Sequence, residues 1–155
     1  MKIEINPIGL IHSAFENHES AARQPAIDGR KGEIVLRKEF VEGLDGLEKF
    51  SHIIAIYHFH LQPKVSLKAR PCFDPDIEHG IFASRYPTRP NHIGISILTL
   101  ERIDGNTLHC KDVDVINNTP LLDIKPYVKQ FDQMKNPKCG WYDTVNWQSI
   151  QKNLN

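Results

Sequence analysis

Apolar residues in this chain fall at alternate positions or in short unbroken runs, and hardly anywhere at the three-and-four spacing of an amphipathic helix. Residues 3–12 carry Ile and Leu in a β-like run broken by Pro7 and Gly9, which predicts an edge or bulged strand. Residues 32–40 predict a second strand. In residues 42–50 the two glycines Gly43 and Gly46 predict turns or a single helical turn. The run HIIAIYHFH, residues 52–60, is the clearest strand, either buried on both faces or part of a barrel wall. A loop is expected over residues 61–79, where Pro63, Pro71 and Pro75 interrupt any periodicity; a loop this long in a compact domain is usually functional. Residues 80–84 predict a short strand. Residues 92–103 and 107–116 predict a hairpin about Asp104-Gly105, and residues 121–128 a last strand. The tail is polar, with Trp141, Tyr142 and Trp147 as its aromatic content. Six or seven strands with scarcely a helix predict an all-β fold, a single-sheet antiparallel β-barrel with few short helices. One barrel domain over residues 3–142, with a tail over 143–155, is the expected organisation.

Composition narrows the setting more than the function. An apolar fraction of 40% and a charged fraction of 25% over 155 residues describe one ordinary globular domain. Lys plus Arg equals Asp plus Glu, 19 each, so no bulk positive field advertises nucleic acid or a membrane. An RNA substrate would need basic residues clustered locally or shared across a dimer. Cys72, Cys110 and Cys139 are far apart and odd in number, which predicts separate reduced thiols rather than a disulfide framework. No basic leader precedes a long apolar run, and no window is long enough to span a bilayer, so a cytoplasmic protein away from the membrane is expected.

Four segments are rich in residues that a packed core would not select. Arg23-Gln24-Pro25 offers a planar donor fork beside an amide, although any loop can hold such residues. Between Ser84 and Asn91 two prolines stiffen a loop carrying Arg85, Arg89 and Asn91. Asp112 and Asp114 alternate at a strand end and are expected on one face, ahead of the turn residues Asn117-Asn118-Thr119-Pro120. Asp123, Lys125 and Tyr127 share a face by alternation, as a polar site or an exposed ladder. His58 and His60 would also share a face, but no glutamate follows as a cupin-type metal site requires, so no metal is expected. Dinucleotide, P-loop and nucleophile-elbow motifs do not occur.

Read in order, these pieces resemble the TrmO, or TsaA-like, family. The resemblance runs through Pro7-Ile8-Gly9 with Ser13, Arg23-Gln24-Pro25, Gly46-Leu47-Glu48, Phe50-Ser51-His52 and Phe59-His60. It continues through Gly80-Ile81-Phe82-Ala83-Ser84-Arg85, Arg89-Pro90-Asn91, Ile93-Gly94, Thr119-Pro120 and Asp123-Ile124-Lys125-Pro126-Tyr127. It implies a homodimeric barrel that binds S-adenosylmethionine near the subunit interface. It also implies methylation of N6 of threonylcarbamoyladenosine beside a tRNA anticodon. By that resemblance Arg23, Gln24, Pro25, His60, Leu61, Arg85, Thr119, Pro120, Leu121 and Leu122 line the cofactor; from the residues themselves Asn91 is expected beside them, and Arg89 and Lys125 are expected to meet the substrate. Asp114, Asp123 and Tyr127 are the candidate catalytic groups, either acid being able to accept the proton that the amine sheds. An activated sulfonium needs alignment rather than a metal. Two departures stand out: His92 occupies a position where the family has proline, and Asn117-Asn118 replaces its Asp-Gly. These departures keep open a non-catalytic cofactor-binding barrel as one alternative, and a methyltransferase acting on a small molecule is another.

Overall fold

The computed structural model describes residues 1–17 and 29–152. Among them, β1 (Gly9–His12), β2 (Arg30–Leu36), β3 (His52–His58), β6 (Ile93–Asp104), β7 (Thr107–Val113) and β8 (Thr119–Pro126) close into a barrel in the order β1-β2-β7-β6-β3-β8. Every neighbouring pair is antiparallel, and β8 against β1 completes the ring. A separate ribbon pairs β4 (Lys68–Ala69) with β5 (His79–Gly80). Among the described residues, helix is confined to α1 (Lys129–Asp132), α2 (Trp147–Lys152) and short 3-10 turns. No helix among the described residues is long and apolar enough to cross a membrane.

Period-two alternation explains the wall. On β3, Ile53, Ala55 and Tyr57 point inward, while Ile54, Ile56 and His58 are half-exposed. Of the two readings of this run, barrel wall is the one realised. Inside, Ile11, Ile34, Ile53, Leu98, Leu108 and Leu121 are almost wholly buried and form one core. Burying one such side chain is worth about 1.5–3 kcal/mol.

Several elements differ from expectation for local reasons. β1 is shorter than the run over residues 3–12 and begins only after Pro7. Residues 81–84 do not form a strand but a 3-10 turn, Ile81–Ala83. The Ile81 carbonyl accepts bonds from the Ser84 amide, the Ser84 hydroxyl and Arg89, donors that curl the chain instead of extending it. β3 stops at His58, and the His60 amide turns back to the His58 carbonyl, so His58 and His60 do not share a strand face. The hairpin turns one residue later than read, on Gly105-Asn106, with Gly105 at φ 58.

A bulge in β7 decides where the acids go. Gly32 pairs with Cys110 but Arg30 with Val113, so β7 carries an extra residue, and Asp112 sits at φ 64. Simple alternation would put Asp112 and Asp114 on one face. Instead Asp112 accepts a bond from the half-exposed Thr99 hydroxyl, and Asp114 from the buried Ser96 hydroxyl on the opposite face of β6. His92 stands at φ 51, a conformation closed to proline, so the local chain path requires the departure seen in the sequence.

Candidate active site

At the end of the barrel where β3 finishes and β6 starts, a cleft of about 510 Å³ opens, within the usual range for a small-molecule site. Distant parts of the chain build it. The turn after β3 contributes Phe59, His60 and Leu61, the long loop Pro71 and Phe73, and the following loop Arg85 and Tyr86. The β7–β8 connection supplies Asp114, Val115, Ile116 and Thr119, and the C-terminal segment supplies Tyr142.

Each wall has its own support. Arg89 donates through Nη1 to the Ser84 carbonyl at 2.7 Å and the Ile81 carbonyl at 3.1 Å, tying down the loop that presents Arg85. Thr119 donates its hydroxyl to the Ile116 carbonyl at 2.6 Å, fixing the turn before β8. Within that turn Asn118 adopts φ 60, and the Asn117 side chain accepts from the Ser13 and Asn118 amides. Asn117 also donates to Glu16 at 3.3 Å. An aspartate there would face Glu16 with like charge, so the amide suits this neighbourhood. Trp141 stacks on His79 and Tyr142 and donates to the Ala83 carbonyl at 2.8 Å, holding the C-terminal segment against the long loop.

The cleft floor is polar and was not legible in the sequence. Tyr57 pairs with Gly94 across β3 and β6, and its hydroxyl lies 3.0 Å from Ser96 Oγ, which donates to Asp114 Oδ1 at 2.6 Å. Burial first, and then the Asp114 charge, push the Tyr57 phenol well above its ordinary range. Finding Tyr57 and Ser96 required the β3–β6 register; within an apolar run each reads as ordinary barrel filling.

The candidate residues therefore divide. His60, Leu61, Arg85, Thr119 and Asp114 meet in the cleft. Asn91 and Arg89 lie in its supporting loop, and Leu121 is core, opposite Tyr57. Pro120 faces a second groove beside Leu10, and Leu122 is half-buried on β8. Asp123 and Lys125 form an ion pair of 2.7 Å on the outer wall, opposite Ile56 and Ile54. Tyr127 packs edge-on to His52, at the end of β3 away from the cleft. Six residue steps along β3 separate those ends, about 20 Å. Arg23, Gln24 and Pro25 lie outside the described residues. No group of three His, Cys, Asp or Glu side chains among the described residues is arranged to hold a metal ion.

Residues 10–133 match the family model described as the tRNA-methyltransferase O N-terminal domain. The chain belongs to the TrmO family. A probable S-adenosyl-L-methionine-binding protein of Pyrococcus abyssi is 46% identical over 138 residues, covering 88% of this chain and 74% of that protein. The human protein named tRNA (adenine(37)-N6)-methyltransferase is 34% identical over 137 residues, covering 84% of this chain but 31% of its own length. The crystal structure of TrmO from Pseudomonas aeruginosa superimposes with a TM-score of 0.75 at 34% identity, covering 90% of this chain and 62% of that one. The chain thus spans less than two thirds of both the human relative and the solved TrmO chain, and the shared part is the barrel.

Proposed function

We propose that this TrmO-family barrel transfers a methyl group from S-adenosylmethionine to N6 of threonylcarbamoyladenosine beside the anticodon of tRNA. The observation that carries the reading is the meeting of Arg85 and Asp114 in one cleft walled by His60, Leu61 and Thr119, five residues from three distant stretches of a TrmO-family chain. The cleft suits the cofactor's chemistry. Arg85 is a donor fork for its carboxylate, and Phe59, Tyr86 and Phe73 present faces and edges for a purine. The cofactor supplies a methyl already activated on a positive sulfur. Transfer forms an N–C bond and breaks an S–C bond, whose electron pair stays on sulfur. Asp114 then takes the proton shed by N6. Asp123, paired with Lys125 on the outer wall, has no such position. No residue here needs a metal to do this work.

The acting unit is a homodimer. Ile93, Ile95 and Ile97 on β6 are 38%, 49% and 43% exposed, and the register sets Ile95 and Ile97 beside Ile56 and Ile54 of β3. A contiguous isoleucine face of this kind is what a second copy would cover. Ile93 and Ile95 also line the cleft, so a copy seated there would complete its wall. Ile95→Lys is expected to leave the barrel folded, shift the protein to monomer in sedimentation, and weaken cofactor binding at least ten-fold. A dimer unaffected by that change would reject this face. In this reading the enzyme works on cytoplasmic tRNA.

The test is transfer itself. With labelled S-adenosylmethionine and tRNA from a strain lacking this modification, label should appear in the modified adenosine. Label confined to a small-molecule extract would reject tRNA as acceptor, and tight cofactor binding without transfer would reject catalysis.

A further inference from the structure

We propose that Tyr57 and Ser96 are positioning residues for Asp114, acting as a buried phenol-to-hydroxyl-to-carboxylate chain that aims the carboxylate into the cleft. The inference rests on the reading of Asp114 as proton acceptor. Asp114 lies just past the end of β7, after the bulge at Asp112. Ser96 ties down its carboxylate, at 2.6 Å from Asp114 Oδ1 and only 2% exposed.

The direction of the chain follows from proton counting. A serine hydroxyl has one proton, and Ser96 gives it to the carboxylate, so the Tyr57 hydroxyl at 3.0 Å must be the donor to Ser96 Oγ. Its raised pKa keeps Tyr57 a phenol across the range in which a carboxylate titrates, so this donor persists. Tyr57 is itself locked. A Cβ at Gly94 would come within 2.2 Å of the Tyr57 ring, so the ring lies over a position that only glycine leaves open, and Phe59 packs edge-on at 5.4 Å. From there the phenol reaches Ser96, two residues further along β6. Besides Asp114, the charged or titratable groups among the described residues that line the cleft are Arg85, His60, Cys72, Tyr57, Tyr86 and Tyr142. Of these, Tyr57 reaches Ser96 Oγ, at 3.0 Å.

Ser96→Ala, Tyr57→Phe and the double variant, in the full chain, are assayed for methyl transfer to tRNA from about pH 5 to 9. Ser96→Ala is expected to lower kcat about ten-fold, with KM for the cofactor within about three-fold. It should also move the acid limb of the kcat profile to higher pH, because a donor to the charged carboxylate is lost. Tyr57→Phe shifts both in the same direction by less. The double variant should match Ser96→Ala, since links in series do not add. Melting curves identify any variant that fails to fold; if Ser96→Ala does, Tyr57→Phe, which keeps the ring packing, decides. Wild-type turnover by Asp114→Asn removes the proton-acceptor reading. Lost turnover in Asp114→Asn, with an unmoved acid limb and kcat in the other variants or with additive effects, overturns the positioning inference alone.

Discussion

Asp114→Asn is expected to lower turnover by about 100-fold or more, the scale of a positioned general base. The substitution keeps the size of the side chain and leaves an oxygen to accept from Ser96, now 2.6 Å away. What it removes is the capacity to take a proton. The loss should therefore fall on kcat, with KM for tRNA nearly unchanged, as measured by steady-state transfer of label. The same change at Asp123 should do far less, because that carboxylate sits on the outer wall beside Lys125. A larger loss at Asp123 than at Asp114 would reverse the assignment of the two acids.

Gly94→Ala is expected to cost about 3 kcal/mol of stability, the upper end for overpacking a core. The added carbon would stand 2.2 Å and 2.6 Å from two atoms of the Tyr57 ring and 2.8 Å from Phe59. These are ring atoms hemmed in by their neighbours, so they cannot swing aside as a flexible chain end would. At roughly 3 °C per kcal/mol for a domain of this size, the melting temperature should fall by about 10 °C. Because the displaced ring also carries the donor to Ser96, residual activity should fall along with stability. An unchanged melting temperature would show that the ring can relocate.

The strand pattern was legible because alternation is a local property: Ile53, Ala55 and Tyr57 share a phase whatever lies opposite them. The cleft's members were partly legible for a different reason. His60 and Arg85 sit in loops, and Thr119 opens β8 just after a turn; their residue types suit a polar ligand better than a core, and their order along the chain resembles a family. The local reading faltered where bonds outside the strand ladder took over. Ile81 gathered three nearby donors and curled instead of pairing, and one extra residue in β7 sent Asp112 and Asp114 to opposite faces.

By itself, the order of residues determined an all-β chain with polar loops at the ends of its strands and two acids competent to accept a proton. Tertiary structure alone decided which acid meets the cleft and that Tyr57, hidden in an apolar run, reaches Ser96 and through it Asp114. The reason is that register and closure couple residues 39 and 18 positions apart along the chain, and no local period carries that information.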